Sequence, residues 1–246
     1  MRLASSEHFD EAFVTIPEGD FLMGSADGPD DEKPVHQVWV DAFELAVYPV
    51  TCGQYRAFLQ AAGHELPRDW DVFATSPDLP VVGVSWVDCE AYCTWRSKRS
   101  TIVRLPTEAE WERAARGGEE GGLYPWGDEI PDWIPNNGRG PVEGPWPVTL
   151  GEPNPFGLHG IAANVHEWCA DWYAADFYAA SPARNPAGPE RGVRRASRGG
   201  SWRHAVTISR CATRSRIDPS FRYTDYGFRV VRTGGRTGSS AVTASL

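Results

Sequence analysis

The sequence predicts one domain in which short strands and short helices are joined by long irregular loops. A chain of 246 residues can form one large domain or two small ones, and we expect one. Glycine and proline are frequent, with 25 and 20 residues. Hydrophobic residues make up 41% of the chain and occur in short runs rather than in helical stripes. Long helices should therefore be few.

The first elements are predicted from local patterns near the start of the chain. Residues 13–23 contain two apolar runs on either side of the turn-forming segment 17–19, a pattern that predicts a hairpin. Residues 35–45 alternate in a way that predicts a strand. His36 is the lone histidine of that strand. We interpret it as a surface or hydrogen-bonding residue rather than as a ligand.

Three helices are predicted from residues that can cap their ends. A hydroxyl side chain at the first position accepts a hydrogen bond from a free backbone N–H of the first turn. The three starting residues are Thr51, Ser85 and Thr107. The signal is clearest at Thr107, because Glu110 completes a capping box and Gly117 can end the helix.

The second half of the chain has fewer regular patterns. Glycine and proline are dense from 117 to 155, which predicts a long loop held by tryptophan side chains or by an ion. The aromatic segment 168–180 is interpreted as helical. Residues 196–232 predict antiparallel strands around Pro219. The glycine-, serine- and threonine-rich segment 233–246 predicts a disordered tail.

The net charge of −9 is unevenly distributed. Residues 191–229 carry ten arginines against Asp218 and Asp225, so this segment is about +8 and the remainder about −17. A basic patch can attract nucleic acid. These arginines alternate with strand residues, however, and carboxylates are in excess elsewhere. We therefore expect internal ion pairs and solvated arginines, and no nucleic-acid partner.

The N-terminus and the cysteines bear on the cellular compartment. Residues 1–12, interpreted as an N-terminal extension, lack the apolar core of an export signal, and no window approaches the roughly eighteen apolar residues of a membrane span. We expect a cytoplasmic protein without a membrane partner. The five cysteines show no repeated metal-ligand spacing, which argues against a disulfide framework.

Eight motifs in a fixed order carry the most specific signal. They are IPEGDFLMGS, VYPVTCGQYRAF, PVVGVSWVDCEAYCTW, RLPTEAEWERAARGG, YPWGDE, NPFGLHGIAANVHEW, SRGGSW and YGFRVVR. In this order they resemble the formylglycine-generating enzyme family, also called sulfatase-modifying factors. The resemblance implies a single α+β domain of the C-type-lectin-like fold over residues 13–232. Low regular secondary structure is expected of that fold, in agreement with the composition.

The resemblance also implies a chemistry that this chain lacks the residues to perform. Founding members oxidise a cysteine of a client sulfatase to formylglycine, using oxygen and a copper ion held by two thiolates. Such thiolates suit Cu(I), which is soft and favours sulfur. By the resemblance, the first thiolate position is His204, and the second falls within 206–209, which contains no cysteine. The sequence therefore argues against formylglycine generation by the copper route.

A different metal chemistry is suggested by two histidines. The resemblance assigns an aromatic residue of the family's active-site wall to His166, so two imidazoles, His166 and His204, should face one pocket beside Ser201. Imidazole suits Fe(II), Cu(II) or Zn(II) better than Cu(I). We predict an iron or copper site with these three as candidate catalytic residues. The alternative is two polar residues that hydrogen-bond the backbone, and the sequence identifies no third ligand.

A structural calcium ion is also implied by the resemblance. The family's calcium loop uses an asparagine, two backbone carbonyls and a glutamate, and such hard oxygen ligands suit calcium. Gly160 replaces the asparagine here, so the alternative is that Glu167 only makes hydrogen bonds. The candidate ligands of this site are Ala163, Val165 and Glu167, and those of a second family site are Asn137 and Gly138.

Two classes of function follow from these observations. The first is an oxygen- or metal-dependent oxidoreductase-type enzyme acting on a peptide or small molecule. The second is a non-catalytic C-type-lectin-like protein that binds a peptide, protein or small-molecule ligand, such as a retroelement-diversified variable protein, or a regulatory paralogue. Arginine and tyrosine are common in binding surfaces. The candidate ligand-binding residues are Trp202, Arg203, Arg216, Phe221, Arg222, Tyr223 and Tyr226.

Overall fold

The computed structural model describes residues 12–119 and 121–234, in which short strands form three sheets and the helices are short. The strands are β1 (Phe13–Ile16), β2 (Gly19–Met23), β3 (His36–Val40), β4 (Phe43–Ala46), β5 (Ile102–Arg104), β6 (His166–Trp172), β7 (Arg195–Arg198), β8 (Arg214–Ile217), β9 (Tyr226–Gly227) and β10 (Val231–Thr233). The α-helices are α1 (Cys52–Ala62), α2 (Trp70–Phe73), α3 (Trp86–Arg96) and α4 (Glu108–Ala115).

The three predicted helices are confirmed, and each begins with a complete capping box. The side chains of Thr51, Ser85 and Thr107 accept hydrogen bonds from the backbone three residues on. A reciprocal bond returns from the side chain at the third position to the backbone of each cap. These bonds involve only neighbours in the sequence, which is why the sequence could predict them.

The predicted hairpin at residues 13–23 is wrong. Strand β1 pairs with β4, whereas β2 pairs with β3 in a separate two-stranded sheet. The predicted strand at 35–45 is likewise two strands, β3 and β4, with a break at residues 41 and 42. A turn between two apolar runs shows where the chain reverses but leaves open which strand each run joins.

The C-terminal strands differ from the prediction in their partners. Strands β7 and β8 are antiparallel as expected, but β9 pairs in parallel with β6, and β10 inserts between β4 and β5 in the other four-stranded sheet. The predicted helical piece at 168–180 begins in strand β6, which ends at Trp172, and contains a 3-10 turn over Phe177–Ala180. The interpretation failed because Trp168 and Cys169 are buried in the middle of a sheet.

Arginines of the basic segment form internal ion pairs, as predicted. Arg198 is fully buried and contacts the carboxylates of Glu108 and Glu112. Arg229 is also fully buried and pairs with Glu167 at 2.7 Å. Removing one partner of such a pair leaves an uncompensated buried charge, which makes these contacts costly to break.

The long loop predicted at 117–155 contains no helix or strand in its described residues. Aromatic contacts hold it: Tyr124 stacks on Trp126 at 5.1 Å between ring centroids, and Trp133 meets Trp146 edge-on at 5.3 Å. The predicted tail does not begin at 233, because Thr233 belongs to β10 and pairs with Ile102. The remainder of that tail, 235–246, and residues 1–11 of the predicted N-terminal extension lie outside the described residues.

In the described ranges, no helix combines the length and the apolar character needed to cross a bilayer.

Candidate active site

Strand pairing brings His166 and Asp225 together. His166 is the first residue of β6, and it lies opposite Tyr226 of β9 in the parallel register. The His166 backbone N–H donates a hydrogen bond to the Asp225 carbonyl at 3.0 Å. The sheet therefore fixes the positions of two polar side chains that are 59 residues apart in the sequence.

A glycine turn after β7 brings Ser201 and His204 to the same place. Gly199 and Gly200 have φ angles of 97° and 67°, which favour glycine. A Cβ on Gly200 would lie 2.8 Å from Ser209 Oγ, and one on Gly199 would lie 3.0 Å from the Trp111 ring. The close approach of the chain to these neighbours explains the two glycines of the SRGGSW motif.

The four side chains form one hydrogen-bonded cluster. His166 Nε2 lies 3.1 Å from His204 Nδ1. Ser201 Oγ donates to Asp225 Oδ2 at 2.8 Å and lies 3.4 Å from His204 Nδ1. His204 Nε2 lies 3.8 Å from Asp225 Oδ2. One ligand atom each from His166, His204 and Asp225 lies within 4.8 Å of the others, the one such group of three or more among the described residues.

Sequence reasoning missed Asp225. It follows His204 by 21 residues, and no spacing rule connects the two. The one available signal is its position, because Asp225 is the carboxylate directly before the YGFRVVR motif. Only the pairing of β9 with β6 shows that this residue faces the two histidines.

Three of the four side chains of the cluster are buried, and the fourth is exposed. His166, Ser201 and Asp225 are buried, whereas the His204 side chain is 41% exposed. Burial lowers the pKa of His166 to about 4, although the Asp225 carboxylate opposes this shift. The His166 ring is therefore uncharged at neutral pH, and a ligand would reach the cluster from the side of His204.

Three of the predicted ligand-binding residues are linked to this cluster by side-chain contacts. Arg203 donates to Thr224 Oγ1 at 2.8 Å and lies 3.8 Å from Asp225 Oδ1. Phe221 and Tyr223 are exposed, with their ring centroids 5.6 Å apart. Tyr223 in turn lies 5.7 Å from the buried Tyr226 ring, which stacks on His166 at 4.7 Å.

The other predicted ligand-binding residues do not extend this surface. Trp202 and Tyr226 are buried, so neither can be part of an exposed face. Arg222 makes two 2.7 Å bonds with the Asp88 carboxylate. Arg216 donates to Tyr173 Oη and pairs with Asp31. Two of the seven predicted residues are therefore in the interior and two others pair with carboxylates, and ligand binding by the remaining surface stays a prediction.

The predicted calcium residues serve other contacts. The fully buried Glu167 carboxylate binds Arg229 through both oxygens, at 2.7 and 2.8 Å, and accepts a 2.7 Å bond from Trp111 Nε1. Its charge is thus already compensated, and the residues at this position do not fit a calcium site. Ala163 and Val165 are also buried, and the Ala163 N–H donates to the Gly199 carbonyl.

The second predicted calcium position supports the His204 loop. Asn137 is exposed, and a Cβ on Gly138 would lie 2.7 Å from the backbone of Arg203. The Val206 N–H donates to the Asn136 carbonyl at 3.0 Å. This stretch therefore packs directly against the loop that carries His204.

All five cysteines are buried, and none of them belongs to the cluster of His166, His204 and Asp225, so this cluster supplies no thiolate for copper. Burial raises the pKa of the Cys211 thiol to about 12, which keeps it protonated. Cys211 belongs to the same hydrophobic cluster as Ala115. The copper dithiolate implied by the family resemblance does not fit this chain.

Comparison with known proteins agrees with the motif order. Residues 3–234 match the model of the sulfatase-modifying factor enzyme 1-like domain. The chain belongs to this family. Among its relatives in this family is the formylglycine-generating enzyme of Streptomyces coelicolor, with 35% identity over 93% of this chain and 91% of that protein. The mouse protein called inactive C-alpha-formylglycine-generating enzyme 2 is 31% identical over 96% of this chain and 90% of that protein.

A longer relative contains a similar segment. The serine/threonine-protein kinase pkn1 of Chlamydia pneumoniae is 38% identical over 89% of this chain. This chain spans 37% of the length of that relative.

Solved structures confirm the predicted fold. PvdO from Pseudomonas aeruginosa superposes with a TM-score of 0.79 at 30% identity, over 89% of this chain and 93% of that one. Variable protein 1 of Treponema denticola gives a TM-score of 0.77 at 24% identity, over 89% and 94%. This sulfatase-modifying factor domain is thus a single α+β domain with the C-type-lectin-like fold.

Proposed function

We propose that this family member is a metal-dependent oxidoreductase-type enzyme acting on a peptide or small molecule. In this proposal His166, His204 and Asp225 hold one divalent transition-metal ion. The observation that carries the proposal is the 3.1 Å separation of His166 Nε2 and His204 Nδ1, with the Asp225 carboxylate beside them. Two imidazoles and one carboxylate with an open side is the ligand set of non-haem Fe(II) sites.

The separation of the two ring nitrogens supports this fit. A metal–nitrogen bond is about 2.1 Å, so two nitrogens at right angles around one ion lie about 3.0 Å apart. Asp225 can supply the third ligand, because one ligand atom from each of the three residues lies within 4.8 Å of the others. A redox-active ion would supply one-electron chemistry at this position, and the exposed side of His204 leaves room for a substrate.

Neighbouring residues would orient the three ligands. Ser201 Oγ donates to Asp225, and this bond fixes which carboxylate oxygen faces the histidines. Tyr226 stacks on His166 and restricts rotation of the ring. Arg203 lies 3.8 Å from Asp225 at the exposed edge, where its charge can orient an anionic group of the substrate.

Metal analysis tests the proposal. Protein purified without chelators and then loaded anaerobically with Fe(II) should retain about one ion per chain. The variants His166→Ala, His204→Ala and Asp225→Asn should each lose it, because each removes a ligand. His159→Ala is the matched control, since His159 packs against Tyr48 outside the cluster and its loss should leave the metal content unchanged. A wild-type protein that binds no more iron than its triple variant would refute the metal site.

A second candidate function is ligand binding without catalysis. It is favoured by the exposed Phe221 and Tyr223, whose ring centroids lie 5.6 Å apart, and by the ability of two imidazoles 3.1 Å apart to hydrogen-bond each other. In that case His166 and His204 are polar residues of a binding surface. A folded wild-type protein that binds no metal, yet loses ligand affinity when Phe221 or Tyr223 is changed to Ala, would support this function instead.

A further inference from the structure

A cavity lies beside the long loop, apart from the histidine cluster. It measures about 230 Å³ and is lined by residues of two segments, 125–133 and 150–162. Neither His166, His204, Ser201 nor Asp225 contributes to its wall. A cavity of this size can accept one aromatic or branched alkyl group.

Two indole rings in the wall are held rigidly. Trp126 stacks on Tyr124 with an interplanar angle of 4°, and Trp133 meets Trp146 edge-on. Gly151 packs against Trp133, and a Cβ at this glycine would lie 2.6 Å from the ring. The wall also includes the buried apolar side chains of Leu158 and Ile161. Both indoles are thus positioned before any ligand binds.

The charged lining of the cavity is acidic. Glu152 lines it and is exposed, and Asp132 lies between the lining residues Pro131 and Trp133. The lining residues include no lysine or arginine. A cation entering the cavity would therefore meet the Glu152 carboxylate and no basic side chain of the wall.

Indole faces attract cations, and an exposed carboxylate can pair with an ammonium group while water still hydrates it. The Asn154 side chain, which also lines the cavity, is occupied by the carbonyls of Ala114 and Ala115 and by the N–H groups of Phe156 and Leu158. A ligand with an apolar stem therefore fits the interior of the cavity, and its single charged group fits at the rim beside Glu152.

We infer that this cavity is a binding site for a primary ammonium group on an apolar stem, with the stem between Trp126 and Trp133 and the ammonium beside Glu152. Such a group occurs in free alkyl or aryl amines and in lysine side chains of peptides. The site does not depend on the metal proposed above, because no residue is shared between the two.

Calorimetric titration with 2-phenylethylammonium tests this inference. Its neutral analogue 2-phenylethanol should bind at least about tenfold more weakly, because it lacks the charge that the indoles and Glu152 attract. Glu152→Gln should weaken binding of the amine and leave binding of the alcohol unchanged. A parallel titration with N-acetyl-lysine N-methylamide separates the two sources: tighter binding indicates a peptide side chain, and weaker binding a free amine.

Gly151→Ala provides the structural test. A methyl group at this position must displace Trp133 and should reduce amine affinity by about tenfold or more. Gly157→Ala is the matched control: its φ of 81° resembles the 79° of Gly151, but a Cβ there meets nothing within 4 Å. His204→Ala should bind the amine as the wild type does. Equal affinity for amine and alcohol, or unaltered binding in Gly151→Ala, would overturn the inference, as would the absence of any binding.

Discussion

The Nε2 atom of His166 lies 3.1 Å from the Nδ1 atom of His204, although the two residues are 38 positions apart in the sequence. One ring starts a buried strand and the other sits on a solvent-facing loop. In the metal site that we propose, His166 would be the fixed ligand and His204 the accessible one.

Ser201→Ala should weaken metal binding without abolishing it. The hydroxyl donates to Asp225 Oδ2 at 2.8 Å, and it is not itself one of the three proposed ligands. Loss of such an orienting bond typically lowers metal affinity by about 10- to 100-fold. Competition with a chelator of known affinity would measure the change. Ser220→Ala, which removes an exposed hydroxyl bonded to Asp218, should leave the affinity unchanged.

Gly200→Ala should be more destabilising than Gly63→Ala. Both glycines have left-handed φ angles, 67° and 63°, so both changes carry a conformational cost of about 1 kcal/mol. Only at Gly200 does the new Cβ also come within 2.8 Å of a neighbour, Ser209 Oγ. Urea unfolding should show the difference, and metal affinity should fall in Gly200→Ala alone. Identical losses of unfolding free energy in the two variants would mean that the loop at Gly200 can move to accommodate the added methyl group.

Arg198→Leu should lower the free energy of unfolding by about 3–5 kcal/mol, because it leaves the buried Glu108 and Glu112 carboxylates with less positive charge around them. Arg232→Leu is the comparison, since Arg232 pairs with Glu44 and both side chains are about a third exposed. A pair of that kind contributes about 0–1 kcal/mol. Chemical denaturation of both variants measures the two losses, and similar values would contradict the special role of burial.

Acid should weaken the contact between Asp88 and Arg222. Burial raises the pKa of Asp88, but bonds from Arg222, Ser85 and His64 outweigh it and lower the pKa from 3.8 to about 2. Because the folded state binds this proton less readily, the stabilisation is present above about pH 4 and is lost as the pH falls towards 2.

Thermal midpoints of the wild type and of Asp88→Asn, measured from pH 6 to pH 2, check this expectation. The variant should be less stable at pH 6, and the gap should narrow below pH 4. Asp27→Asn, a change in an exposed loop, should follow the wild-type curve. A gap between the wild type and Asp88→Asn that stays constant with pH would show that Asp88 acts through its shape and not through its charge.

The native protein should not react rapidly with a thiol reagent. All five cysteines are buried, and burial raises the pKa values of Cys52 and Cys211 to about 12. The expected result is no rapid modification of the folded protein and five thiols after unfolding. A fast-reacting cysteine in the folded state would show that one thiolate is accessible and could bind copper.

Local features of this protein were determined by the sequence. Helices starting after Thr51, Ser85 and Thr107 could be predicted because a capping box closes within four residues. The order of eight motifs was enough to identify the family, and the excess of carboxylates over arginines was enough to predict internal ion pairs. Each of these conclusions depends on neighbours in the chain or on composition.

Tertiary structure alone decided the site and the strand partners. Asp225 joins His166 because β9 pairs in parallel with β6, and β1 leaves the predicted hairpin to pair with β4. A strand presents the same backbone groups to any partner, so its own residues do not name the strand it joins. The burial of Trp202 and Tyr226, and the occupation of Glu167 by Arg229, likewise follow from contacts between distant segments.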